Sequence, residues 1–188
     1  MSLQSWQETF VAQYVAGTAF NTYTTAKTVL PASALFTLPA NYFSIGRALR
    51  LTVAGSISNI VTTPGTITFQ VMLGSVIAFS TGAMQLSATA HTTLPFMLDV
   101  LLTCRSVGAG TSATLMGQAV MQSQCVVATA VADSDETHTM LLAPDTAPAV
   151  GTGFDSTAAQ QVDFWAGFSV NDAGNQVQLQ QYVLESLN

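Results

Sequence analysis

Strict alternation of apolar and polar side chains recurs along most of this chain and restricts it to β-structure. In GTITFQV, residues 65–71, Ile67, Phe69 and Val71 point to one face of a strand. The opposite face carries only Thr and Gln, which is typical of a half-buried strand. The stretch 47–58 alternates in the same way, and no helical period persists beyond the first 16 residues. The pattern therefore predicts an all-β protein.

The number and length of the strands favour a single β-sandwich. Eight to ten short strands separated by turn residues fit a jelly-roll-like β-sandwich, which we place at residues 17–188, preceded by an N-terminal arm at residues 1–16. Pro31 and Pro39 confine the apolar stretch between them to a sheet edge or to loops. The irregular stretch 129–160 predicts one strand flanked by long loops.

Three pairs of neighbouring strands are predicted to form hairpins, since a short turn-rich stretch joins each pair. These pairs are 47–58 with 65–71, 94–107 with 111–124, and 161–170 with 176–187. Residues 94–107 also carry Met97 and Leu101 on the face opposite their inward apolar residues. That strand is therefore expected to be covered on both faces.

Charge is scarce, and its scarcity excludes several kinds of partner. Only 7% of residues are charged, against about 25% in an ordinary soluble domain. Four cations and ten acids give a net charge of −6, which leaves too few cations for a phosphate-binding stripe or a polybasic membrane anchor. We expect no nucleic-acid partner, no membrane partner and no cofactor. A surface of Thr, Ser, Gln and Ala favours packing against other proteins instead.

The two cysteines, Cys104 and Cys125, are expected to be free thiols. In the hairpin of 94–107 with 111–124, residue 104 lies opposite about residue 115, so the two cysteines are not cross-strand partners. The first residues, MSLQSWQETF, have neither the basic nor the apolar region of a signal peptide. Both features predict folding in a reducing cytosol.

Aromatic residues mark the N-terminal arm as a candidate partner-binding segment. Trp6, Phe10 and Tyr14 recur at a spacing of four residues, which fits either a short amphipathic helix or an extended arm. Trp6 and Phe10 belong either to the core or to anchors that dock on a neighbouring subunit.

Catalytic and metal-binding patterns are weak in this sequence. His91 has no acid near it in sequence, and His138 lies in DSDETH, which is more typical of a solvated acidic loop than of a cation site. The carboxylates Asp99, Asp155, Asp163 and Glu185 would support glycoside hydrolysis only if two of them met in a cleft. We therefore expect a protein that is not an enzyme.

Two aromatic residues near the C-terminus are candidates for an interface or a ligand platform. Trp165 is assigned to the outward face of its strand, and Tyr182 lies on the next strand. Together they would form either a stacking surface for a sugar or, more often for such residues, a buried subunit contact.

Several longer stretches resemble a family of uncharacterised structural proteins from tailed phages and prophages. The resemblance covers roughly residues 45–188 and is most specific at LLTCRSVG (101–108), DTAPAVGTGFDST (145–157) and LQQYVLESLN (179–188). None of these stretches is a catalytic motif.

The resemblance implies a virion component, most simply a decoration or cement protein on the outer surface of the head. Such a protein would assemble in the bacterial host cytoplasm, bind the major capsid protein and associate with itself as a dimer or trimer. The alternative is a receptor- or carbohydrate-binding protein of a tail or fibre. A glycan hydrolase is a third possibility, which the absence of a catalytic motif disfavours.

Overall fold

A computed structural model describes residues 7–129 and 140–188, and nearly all of its regular structure is β-strand. The strands are β1 (Glu8–Ala12), β2 (Phe20–Asn21), β3 (Lys27–Thr28), β4 (Phe36–Leu38), β5 (Ala48–Asn59), β6 (Thr66–Leu73), β7 (Val76–Ser80), β8 (Met84–Leu86), β9 (His91–Ser106), β10 (Thr114–Ser123), β11 (Val126–Thr129), β12 (Met140–Ala143), β13 (Gln160–Phe168) and β14 (Gln176–Ser186). One short 3₁₀ helix, Ala32–Ala34, precedes β4.

The strands form two antiparallel sheets that pack face to face. Sheet I has the order β1-β14-β5-β9-β10-β12, with β2 also paired to β14. Sheet II has the order β11-β8-β6-β13-β3, with β4 on β13 and β7 on β6. The predicted all-β sandwich is confirmed, and its two seven-stranded sheets exceed the eight strands of a simple jelly roll.

A column of aromatic rings joins the two sheets at the centre of the core. Phe69 on β6 stacks on Phe164 of β13 at a centroid distance of 5.4 Å, and on Phe96 of β9 at 5.5 Å. Because β9 belongs to sheet I, the column runs from one sheet to the other. All three rings are buried, so this contact is central to the stability of the sandwich.

Two of the three predicted hairpins are wrong, and the third is confirmed. β9 and β10 pair directly, with Leu115 opposite Cys104 as expected. In contrast, β5 and β6 lie in different sheets, and so do β13 and β14. The connections 60–65 and 169–175 therefore cross between the sheets. A turn-rich stretch of this length can either close a hairpin or span the ~10 Å between packed sheets, and the local sequence is similar in both cases.

Asn175 holds these two connections together at one end of the sandwich. Its side chain accepts a hydrogen bond from the Ile60 amide at 3.1 Å and donates one to the Pro64 carbonyl at 3.0 Å. The Asn175 side chain is fully buried, so these bonds satisfy groups that water cannot reach.

Other expectations hold to different degrees. β4 pairs only with β13, which fits the edge position that Pro31 and Pro39 predict. One strand is predicted within residues 129–160, and β12 is the one named strand that lies wholly within the described residues of that stretch. Within residues 18–30 the strands are short: β2 and β3 are separate, and Thr22, directly after β2, adopts a positive φ.

Both cysteines are free and buried, as expected. Burial raises the pKa of Cys125 to about 11 and also raises that of Cys104. A raised pKa in the folded state means that unfolded chains lose thiol protons first as the pH rises. We therefore expect the contribution of the thiols to the free energy of unfolding to be constant below the ordinary thiol pKa near 9 and to fall between pH 9 and about 11.

Denaturation at fixed pH steps and maleimide labelling measure this effect together. Native protein at neutral pH should label slowly, and denaturant should expose both thiols. Rapid labelling of the native protein, or stability that is unchanged up to pH 11, would contradict the burial of the thiols.

Candidate interaction surface

The outer face of sheet I is broad, and apolar residues cover the part of it formed by β9, β10 and β12. Strand register places the outward side chains in rows across the sheet. One row contains Val183, Thr52, Asp99, Val120 and Leu142. The next row contains Gln181, Ala54, Met97, Gln122 and Met140. Cross-strand neighbours in these rows form one continuous surface.

Large apolar side chains on this face are open to solvent. Leu101 is 46% exposed, Met97 is comparably exposed, and Met140 and Leu142 are more so. We call Met97, Leu101, Val120, Met140 and Leu142 the apolar patch. The expectation that β9 is covered on both faces is wrong for the described part of this chain, since its outer face has no covering layer there. Exposed apolar side chains that adjoin one another on a sheet face are typical of an interaction site.

The charges on the outer face of sheet I balance one another. Arg50 forms a bidentate pair with Asp99, in which its Nε donates to the two carboxylate oxygens at 2.9 and 3.1 Å and its Nη2 also donates. These hydrogen bonds, and then the negative charge of Asp99, raise the pKa of Arg50 above its ordinary value. Glu185 lies opposite Arg50, and Arg105 lies near the end of β9. Among the described residues of this face, two cations and two acids balance, although the chain carries a net charge of −6.

Part of the predicted N-terminal arm belongs to sheet I. β1 pairs with β14, with Thr9 opposite Glu185 and Ala12 opposite Val183. Phe10 is half-buried and stacks on Phe36 at 4.9 Å. The described part of the arm is therefore an extended edge strand and not a helix, and Phe10 packs on the core. Tyr14 is 80% exposed, whereas Trp6 lies outside the described residues.

The predicted pairing of Trp165 with Tyr182 is wrong. Trp165 lies on β13 in sheet II, whereas Tyr182 lies on β14 in sheet I and is only 1% exposed. Tyr182 is inward because a bulge between Leu179 and Gln181 reverses the alternation along β14. Burial raises the pKa of Tyr182 above its ordinary value, and its hydroxyl has no partner among the described residues.

Trp165 is held in place on the outer face of sheet II by a buried carboxylate. Its Nε1 donates to Asp163 Oδ2 at 2.7 Å. The other oxygen of Asp163 accepts from the Thr28 hydroxyl and from the Phe164 amide, each at 2.7 Å. Asp163 thus fixes the indole and ties β3 to β13. The four-residue sequence VDFW gives no sign of this role.

The structure does not bring the candidate catalytic carboxylates together. Asp99 is paired with Arg50 on sheet I, whereas Asp163 accepts a hydrogen bond from the Thr28 hydroxyl on sheet II. Asp155 accepts a hydrogen bond from Thr157 within its own loop. Arg50 lies between Asp99 and Glu185. His91 begins β9, and His138 lies outside the described residues.

Two kinds of feature are absent from the residues that the structure describes. No cluster of three or more His, Cys, Asp or Glu side chains suitable for a metal ion occurs among them. Within the same residues, no helix has the length and apolar character needed to cross a membrane.

Sequence reasoning assigned Met97 and Leu101 to an outward face but missed the contribution of β12. Met140 and Leu142 alternate with the inward Leu141 and Ala143, and this alternation is the feature of the sequence that indicates their outward position. The stretch is too short to show a period, and its surroundings are rich in loops, so the pattern does not identify a face.

Comparisons with known proteins give a structural likeness and no match by sequence. No protein-family model matches the sequence, and no curated protein matches it. Among solved structures, the chain is similar to the CBM2 module of the evolved Dit of Lactobacillus casei BL23 phage J-1, with 11% identity, 99% of each chain covered and a TM-score of 0.34. The β-sandwich assignment rests on the strand pairing described above, independently of this likeness.

Proposed function

We propose that this chain is a non-enzymatic structural protein of a phage virion, which coats the outer surface of the head and stabilises it. The observation that carries the proposal is the outer face of sheet I, which is broad, neutral and apolar at the apolar patch. Such a surface loses little favourable hydration on contact with protein and gains free energy from burying Leu101 and its neighbours. The low charge of the whole chain and the sequence resemblance to phage structural proteins support the same function.

A coat of many copies explains how a surface that binds with moderate affinity can still stabilise the head. Each contact contributes little after the cost of association, but repetition over a closed shell multiplies the effect. The net charge of −6 suits an outer position, away from packaged DNA. In this proposal the major capsid protein is the partner on the shell, and the chain assembles there in the host cytoplasm.

Deletion of the gene from a phage that encodes this chain tests the proposal. We expect wild-type particles to contain on the order of hundreds of copies, measured by quantitative mass spectrometry, because a coat follows the symmetry of the shell. Particles without the protein should release their DNA at a lower temperature. Complementation with Leu101→Lys should fail to restore the coat, whereas Ile77→Lys should restore it, since Ile77 is similarly exposed, at 40%, on sheet II.

Absence of the chain from purified particles would overturn the proposal. A few copies per particle would instead favour the second candidate function, which is glycan binding by a tail or fibre protein. The observation that favours it is the indole of Trp165, held outward by Asp163 beside Gln70 and Thr28. Glycan binding that Trp165→Ala abolishes, in particles that assemble normally, would establish that function.

A further inference from the structure

We propose that the outer face of sheet I binds the same face of a second copy, forming a dimer with two-fold symmetry. The inference rests on the proposed function in one respect: it assigns the surface named there to contact between copies of the coat, so that the major capsid protein contacts other surfaces of the chain. A two-fold contact uses one patch on both copies, so the patch must be complementary to itself in size, polarity and charge.

The size of the face matches what a stable dimer needs. Six strands about 4.8 Å apart, with a mean length of about ten residues at 3.3 Å per residue, give a face of roughly 900 Å². A standard protein interface buries about 800 Å² on each partner. The apolar patch would lie within this contact, beside the uncharged Thr and Gln residues of β5, β10 and β14.

The charges of the face favour a second copy over a charged partner. Two whole chains, each with a net charge of −6, repel one another at long range. The charges that the structure describes on the outer face of sheet I balance one another, so these residues do not set like charges against each other when two copies meet there. Arg50 and Asp99 are paired within each copy, so neither brings an unpaired charge into the contact.

Sedimentation of the purified full chain, with Leu101→Lys and the matched control Ile77→Lys, tests the dimer. We expect the wild-type protein to sediment as a reversible dimer at about 100 µM, within the micromolar range typical of moderate interfaces. Leu101→Lys should weaken the dimer by about thirtyfold or more, since it places an unpaired charge in the centre of the contact. Ile77→Lys should change the dissociation constant by no more than about twofold.

Labelling of an introduced thiol identifies the face without disrupting it. Both native cysteines are buried, so maleimide reports on Leu101→Cys or on Ile77→Cys alone in the folded protein. Raising the protein concentration should slow the labelling of Leu101→Cys and leave that of Ile77→Cys unchanged. Circular dichroism of each variant establishes that it is folded.

A wild-type monomer at about 200 µM, or a dimer that Leu101→Lys leaves intact, would overturn the inference. The second result would point to a contact through a sheet edge, such as the free edge of β1. These outcomes are independent of the particle experiment. A monomer in solution that still coats the head would contradict the dimer alone, and a dimer that is absent from particles would contradict the proposed function alone.

Discussion

Replacement of Phe69 by alanine is expected to remove much of the stability of the fold. The ring is fully buried between Phe164 and Phe96, so the substitution leaves a cavity where the two sheets meet. Truncation of a buried aromatic residue costs about 3–5 kcal/mol, against a total stability of about 5–15 kcal/mol for a domain of this kind. Denaturation in guanidinium should therefore show a midpoint far below that of the wild-type protein.

The matched control is Tyr14→Ala, which removes an aromatic ring that is 80% exposed. It should change the free energy of unfolding by less than about 0.5 kcal/mol. Phe69→Leu should lie between the two, because leucine fills part of the cavity. A loss below about 1 kcal/mol for Phe69→Ala would mean that this aromatic column is not the centre of the core.

Replacement of Asp163 by alanine is expected to destabilise the protein by about 2–4 kcal/mol. Hydrogen bonds to a charged group contribute about 1.5–3 kcal/mol each, and their effects do not add fully. The substitution removes the acceptor of three donors, namely the Thr28 hydroxyl, the Phe164 amide and the Trp165 indole. Phe164 is fully buried, so the lost partner of its amide accounts for much of the cost.

Fluorescence separates this local effect from global unfolding. In a Trp6→Phe background Trp165 is the single tryptophan, and Asp163→Ala should shift its emission to longer wavelength as the indole becomes mobile. Asp155→Ala is the control, since its carboxylate is solvent-exposed and bonds within its own turn. Equal losses of stability for the two aspartates would contradict the role assigned to Asp163.

The strands themselves could be predicted from the sequence because their alternation is local. β6 and β9 are examples, with each inward position occupied by an apolar residue. The β9–β10 pairing was also predictable, since a glycine-containing turn joins two long strands of matching pattern. In these elements, local pattern and final packing agree.

Pairings over longer distances could not be predicted, because they depend on packing between the sheets. The stretch NDAGN (171–175) looks like a hairpin turn, yet its Asn175 bonds to the distant connection 60–65. A single-residue bulge in β14 turned Tyr182 inward, and the sequence LQQYV gives no sign of it. Gly55 accommodates this bulge, since a Cβ there would lie 2.1 Å from the Gln178 carbonyl oxygen.

The candidate surface could be predicted only in part, for a related reason. The outward positions of Met97 and Leu101 follow from the alternation along β9, but their exposure depends on the absence of a covering layer within the described part of the chain. The neutrality of the face depends on which strands are neighbours. Arg50 and Asp99 are 49 positions apart in sequence, and only the pairing of β5 with β9 brings them together.

Cryo-electron microscopy of the intact virion tests the central claim most directly, because it shows both where the chain lies and which face is covered. The account predicts many symmetric copies on the outer surface of the head, with the outer face of sheet I buried and Leu101 within a protein contact. Copies at the tail alone, or copies on the head with the outer face of sheet I open to solvent, would contradict it.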